Sequence, residues 1–308
     1  MTAFLQQLVN GLSLGSIYAL IALGYTMVYG IIKLINFAHG DIYMLGAYCA
    51  FLITTYCGLG FIPALLISMI FCGVVGVLIE HIAYKPLRHA TRITALITAI
   101  GVSYVLEYAT QYIMGSEVRT YPKLLTSASF HLGPVTITMQ QVYIFVITVI
   151  LMVVLQFIVQ KTKMGRAMRA VSVDEDAARL MGIDVDKTIS FTFLLGSALA
   201  GVAGVLYAHN LTTLTALPKN FGYNMSIMIL VYVVLGGIGS IRGSVISTVI
   251  LYLLPELLRG LNNYRMLIYA IVLILAMLFN SAPQFITLRK RIFGGFASHT
   301  THSGKGEA

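Results

Sequence analysis

The chain has 308 residues, 58% of them hydrophobic and 10% charged, with a net charge of +9 and a mean hydropathy of +0.88. Soluble domains carry about 25% charged residues, and one soluble core cannot hide this much apolar surface in a chain of this length. Composition excludes a soluble globular protein, and the basic excess reads as loops at one membrane face rather than as a nucleic-acid surface.

The apolar segments are long continuous runs, which predict helices rather than barrel strands. They fall near 8–32, 42–57, 61–81, 93–114, 138–160, 188–208, 226–237, 244–258 and 265–287. The expected fold is an all-α polytopic bundle of about eight to nine spans, a single transmembrane domain over 1–308 with broken or half helices at 33–41 and 236–243. The opening "MTAFLQQLVNGLSLG" lacks a basic n-region and a small-residue cleavage site, so the first run is expected to stay as a span. Within it, Gly11 and Gly15 suit a close helix contact.

Next comes "INFAHGD", residues 35–41, between two stretches without a charged residue, 1–32 and 42–79. Irregular backbone at membrane depth needs partners. Asn36 and Asp41 can supply them, and Asp41 is expected to cap a helix starting at Ile42. The alternative is that these residues line a solute path. His39 beside a carboxylate has no second ligand set, so no metal site is expected. Cys49, Cys57 and Cys72 read as small apolar-span residues without a metal-site spacing. Glu80 and His81 read as a solvated pair at a helix end. Glu107 stands mid-span with Ser103 one turn before it and Gln111 one turn after, a polar stripe expected to face the bundle interior or a water path.

Residues 161–187, "KTKMGRAMRAVSVDEDAARLMGIDVDK", form the large polar loop. Ser172 and Glu175 have the capping-box spacing, Asp174, Glu175 and Asp176 suit a helix N-terminus, and Gly182 suits the position past its C-terminus. A helix over 173–181 is expected, with Val173, Ala177, Leu180 and Met181 on its apolar side. So short a helix is marginal alone; it docks either on its own bundle or on a partner, with Arg166 and Arg169 just upstream. Farther on, Gly196, Ala200 and Gly204 recur at every fourth position, a stripe for close helix contact. Gly236, Gly237, Gly239 and Ser240 mark the second break, which resembles the first weakly, as in an internal repeat. A short polar tail covers 288–308.

With nine crossings, fifteen of the twenty basic residues fall on one side if the N-terminus is outside and the C-terminus inside, the favoured orientation. No GxxxxGK[ST], HExxH or GxSxG pattern occurs. The chain is thus expected to be no enzyme, to bind no cofactor and to borrow ATP hydrolysis from a separate subunit. The alternative is a proton-coupled secondary carrier or channel using Glu107.

Three blocks carry a resemblance: "NGLSLGSIYALIALGYTMVYGIIKLINFAHGDIYMLGAY" (10–48), "KMGRAMRAVSVDEDAARLMGIDVDKTISFTFLLGSALAGVAGVL" (163–206) and "VLGGIGSIRGSVI" (234–246). The chain resembles bacterial branched-chain amino-acid ABC importer permeases of the LivH type, in order and over most of its length. The resemblance implies one permease domain in the inner membrane, a second homologous permease, two cytoplasmic ATPases using ATP and Mg²⁺, and a periplasmic binding protein that delivers a small amino acid. It implies that 161–187 is the cytoplasmic coupling loop, with the ATPase engaging Gly165, Arg166, Arg169, Ser172, Asp174, Glu175, Ala177, Ala178 and Gly182. Asn36, His39, Asp41, Glu107, Gly236, Gly237, Gly239 and Ser240 remain candidates for the path or the helix breaks.

Overall fold

The computed structural model describes residues 2–88, 90–115, 117–122, 129–132, 135–211, 213–214, 221–237, 239–257 and 264–281. They divide into two compact units, Met1–Leu257 and Leu258–Ala308.

The first unit opens with α1, Thr2–Ile32, 31 residues without a charge. It stops where Lys33 takes a left-handed φ of 57°, a conformation that L-residues adopt rarely and that cannot continue a helix. Residues 33–38 are irregular, and α2 follows over His39–Tyr56. α3, Phe61–Ile79, runs into a π-turn, Glu80–Tyr84, and a 3₁₀ turn, Lys85–Leu87. α4, Arg92–Met114, is N-capped by Thr91, whose hydroxyl accepts the Thr94 N–H. Short strands come next: β1, Arg119–Thr120; β2, Ser129–Leu132; and β3, Val135–Thr138, with β2 and β3 antiparallel. α5, Met139–Lys161, begins with a complete capping box between Thr138 and Gln141.

The polar loop folds into two helices, α6, Lys163–Val173, and α7, Glu175–Leu180. α8, Val185–Leu211, leads to β4, Thr213–Leu214, antiparallel to β1. α9, Tyr223–Gly236, and α10, Ile241–Leu257, meet at a bend of 119°.

α8 is the hub. Its small residues Gly196, Ala200, Gly201 and Gly204 are buried, and they admit α1, α2 and α3 to backbone contact. A Cβ on Gly46 of α2 would stand 2.6 Å from the Gly201 Cα, so neither position has room for a side chain. The expected stripe on α8 and the Gly11 and Gly15 contact are both present, the latter against Leu253 and Val249 of α10. α1 and α8 are largely enclosed, whereas α4 and α5 are only 28% and 17% buried over their apolar windows, so these two line the outside of the unit.

Among the described residues, five helices are long and apolar enough to cross a membrane, or six if the bent pair α9–α10 is one span. The helical membrane architecture is as expected, but the count of eight to nine is not reached by that measure. α9 has 14 residues, about 21 Å at 1.5 Å per residue, short of a hydrocarbon core about 30 Å thick. The second unit contains α11, Arg265–Ser281, a 17-residue apolar helix.

Candidate functional site

The gap between α1 and α2 opens inside the bundle. His39 Nε2 lies 3.2 Å from the Ile21 carbonyl oxygen, and Ile21 stands eleven residues before the end of α1, about 16 Å along its axis. Asn36 is buried; its Oδ1 accepts the Tyr84 hydroxyl at 3.0 Å, and its Nδ2 has no partner. Ser226, in the first turn of α9, accepts the Gly40 N–H at 2.8 Å and donates to the Phe37 carbonyl. One serine thus satisfies two backbone groups freed by the break, as irregular backbone in a membrane requires.

Asp41 does not cap a helix at Ile42. α2 begins at His39, three residues before Ile42, and the Asp41 and Ile42 N–H groups both reach the Ala38 carbonyl, which leaves the carboxylate free to turn sideways. Its Oδ2 accepts the Ser103 hydroxyl from α4. Glu107 lies one turn beyond Ser103 and is 3% exposed. Both carboxylates converge on Gly222, which has a φ of 75°. A Cβ there would stand 2.9 Å from Glu107 Oε2 and 3.1 Å from Asp41 Oδ1. Asp41 Oδ1 and Glu107 Oε1 are buried without hydrogen-bond partners. His39 faces the Tyr25 ring edge-on rather than completing a metal set; among the described residues no group of three potential metal ligands occurs.

Gly236, Gly237, Gly239 and Ser240 lie elsewhere, at the bend between α9 and α10 against the end of α1. The Gly239 N–H donates to Thr26 Oγ1 at 3.1 Å. A shallow cleft there is lined by Thr26, Gly30, Met168, Arg169, Ser172 and Gly239, so the second break and the polar loop share a wall.

In that loop the expected single helix over 173–181 is replaced by α6 and α7 with a break at Asp174. Ser172 is not the cap: it sits in the last turn of α6 and donates to the Arg169 carbonyl at 2.8 Å. Asp174 caps α7, its Oδ1 accepting the Ala177 N–H at 3.0 Å. Both residues are competent caps, and the ladder of α6 occupies the Ser172 backbone. Gly182 takes the expected position past the helix, with φ 81°; its N–H reaches Arg179 and that of Ile183 reaches Ala178, a full Schellman closure. Gly165 lies against the end of α5, Arg169 donates to the Val159 carbonyl, and Glu175 pairs with Arg179 at 3.1 Å. Arg166 and Ala177 are exposed, Ala178 buried. Val173, Leu180 and Met181 are 81%, 89% and 83% exposed. Asp184, just before α8, is held below the usual carboxylate range by the Lys187 backbone amide and ammonium.

The sequence reading of Glu80 as solvated is overturned. Glu80 is fully buried in the π-turn, accepting from Arg88 and, at 2.7 Å, from the Ser190 hydroxyl of α8. Arg88 also binds Asp186, which pairs with Lys85 at 3.1 Å. Sequence reasoning also passed over Tyr84, Ser226 and Gly222. Signals existed in the Lys85–Arg88 basic pair after a carboxylate and in a glycine opening an unusually short apolar run.

The fold defines a polytopic helical membrane protein with a buried polar break inside its bundle. A family model described as "Branched-chain amino acid transport system / permease component" matches residues 7–277, and the chain belongs to that family. It is 40% identical over 260 residues to the high-affinity branched-chain amino acid transport system permease protein BraD of Pseudomonas aeruginosa, covering 80% of this chain and 84% of that one. It is 39% identical over 267 residues to LivH of Escherichia coli K12, covering 80% and 83%. LivM of the same strain, a permease protein of the same named system, is 26% identical over 292 residues, covering 88% and 68%. No solved structure matches the chain.

Proposed function

We propose that this chain is a permease subunit of an ATP-driven importer that carries branched-chain or other small amino acids across the bacterial inner membrane. Residues 1–308 act as one permease domain, with the N-terminus periplasmic and the C-terminus, including 288–308, cytoplasmic. Its partners are a second homologous permease, two ATPases that hydrolyse Mg-ATP, and a periplasmic binding protein. The observation that carries this reading is the surface of α6 and α7, where Val173, Leu180 and Met181 stand exposed beside charged side chains. In water such an apolar group is left open only where something covers it. An ATPase groove fits, and Gly165, Arg166, Arg169, Ser172, Asp174, Glu175, Ala177, Ala178 and Gly182 shape or flank the contact.

ATP binding then moves the ATPases together, the loop moves with them, and the bundle alternates its access. Asn36, His39, Asp41 and Glu107 lie by the interior break, while Gly236, Gly237, Gly239 and Ser240 form the bend that follows the loop. The test is uptake of labelled leucine by vesicles holding both permeases and the ATPases, with binding protein added. ATP-dependent uptake, lost in Gly182→Val and Glu175→Lys together with ATPase association, is expected. Uptake driven by a pH gradient without ATP overturns the reading in favour of a proton-coupled carrier using Glu107.

A further inference from the structure

The contacts around the π-turn run in an unbroken line from the polar loop to the break between α1 and α2. Asp186, in the first turn of α8, stands at the exit of the loop. It accepts from Arg88 Nη1 at 2.5 Å, and Arg88 Nη2 donates to Glu80 Oε1. The other Glu80 oxygen accepts the Ser190 hydroxyl at 2.7 Å. At the far end of the same turn, the Tyr84 hydroxyl donates to Asn36 Oδ1 at 3.0 Å, with the Ile35 carbonyl at 3.4 Å. Just past Asn36, Ser226 of α9 holds the Phe37 carbonyl and the Gly40 N–H.

Stability alone does not account for this arrangement. Glu80 and Arg88 are buried and need each other, and Arg88 and Ser190 between them satisfy both Glu80 oxygens. The buried pair is complete without Asp186. Asp186 and its second partner Lys85 are half exposed, and ion pairs so solvated add little stability. What the Arg88–Asp186 contact adds is position: one guanidinium, with its donors in a rigid fork, spans carboxylates on α8 and on the π-turn. The π-turn itself holds one residue more than an α-helical turn, the Lys85 N–H reaching the Glu80 carbonyl. Such turns are rare and gather at functional sites. The extra residue lets the turn shift register without undoing α3, and coupling over a distance needs a packed element with a second arrangement.

We propose that Arg88 is a positioning residue for import: held by Asp186, it carries displacement of the polar loop through the π-turn to Tyr84 and Asn36, and so sets the break between α1 and α2. This rests on the importer reading, and the test separates the two. Vesicles holding both permeases and the ATPases, with binding protein added, are assayed together for uptake of labelled leucine and for ATP hydrolysis. Asp186→Asn is expected to lower uptake per ATP hydrolysed roughly tenfold, within the usual range of coupling between sites, with thermal midpoint and ATPase association unchanged. Asp186→Glu should restore the ratio. Asp184→Asn, which removes an exposed carboxylate paired with Lys187 instead, should keep it. Tyr84→Phe cuts the far end of the same line and should lower the ratio as well. The double variant Asp186→Asn with Tyr84→Phe should be no worse than the poorer single one, since residues in one network do not act additively. A wild-type ratio in Asp186→Asn, an additive loss in the double variant, or a loss that comes with lost ATPase association overturns the relay. Should Tyr84→Phe fail to assemble, Asp186→Asn and Asp186→Glu decide alone: loss with recovery upholds the relay, and any other result overturns it. Wild-type uptake on ATP with Asp186→Asn unaffected removes the relay and leaves the importer reading standing, whereas wild-type uptake that needs no ATP removes both.

Discussion

Tyr84, in the π-turn that ends α3, donates its hydroxyl to Asn36 Oδ1 across 3.0 Å. With a longer contact of the same hydroxyl to the Ile35 carbonyl at 3.4 Å, it ties the far end of α3 to the irregular segment between α1 and α2. Asn36 Nδ2 already lacks a partner, so removal of the hydroxyl leaves the amide without its bond from Tyr84. Tyr84→Phe should destabilise the protein by about 1–3 kcal/mol, the usual cost of stranding a buried polar group. Thermal unfolding of the solubilised protein would show a lower midpoint, and an unchanged midpoint would falsify the role of the bond.

Arg88 and Glu80 form an ion pair whose side chains are 7% and 0% exposed. Breaking such a pair from one side strands a charge and costs about 3–5 kcal/mol, whereas an apolar replacement of both partners is often neutral. Arg88→Met is expected to be poorly stable, and the double change Arg88→Met with Glu80→Leu to recover most of the loss. Thermal midpoints of the three proteins decide it; a double variant no better than the single one counts against the pair. Asp186, 47% exposed on its side chain, adds little through so solvated a contact.

Asp174→Ala removes the cap of α7 and should cost about 0.5–2 kcal/mol locally. Ser172→Ala removes only a bond to a carbonyl within the same helix and should change stability by less. Amide hydrogen exchange over 175–183 reads the difference, with faster exchange expected in the first variant alone. Equal acceleration in both would restore Ser172 as the cap.

Gly46→Ala pushes a methyl group into backbone, 2.6 Å from the Gly201 Cα, and overpacking of this kind costs about 1–3 kcal/mol. Gly101→Ala meets nothing within 4 Å and should gain up to about 1 kcal/mol in helix propensity. Opposite shifts in thermal midpoint are expected, and shifts of the same sign would refute the assigned packing.

Much of this architecture is written in short-range pattern. The end of α1 beside "INFAHGD", the stripe Gly196, Ala200, Gly204 and the closure at Gly182 each follow from a few neighbouring residues. Asp41 and Glu107 could be singled out one at a time, because a carboxylate in an apolar run is conspicuous. Their convergence on Gly222 could not, since it depends on how α2, α4 and α9 pack. Glu80 was misread because a π-turn, which leaves no sequence signal, swings Arg88 back over it. α6 was overlooked although Met164, Met168 and Val171 have helical spacing; the charges between them masked a helix lying on its own bundle. The choice between Ser172 and Asp174 as cap was undecidable locally, since both have a suitable side chain.

The bend between α9 and α10 rests on α1 through the Gly239 N–H, and Ser244 adds a hydroxyl contact to the same Thr26 at 3.1 Å. Because Thr26 lies near the end of α1 and Gly30 stands against Gly239, α1 and the bend are geared together: a twist of one about its long axis must roll the other. Rotation within this unit therefore has few slack joints.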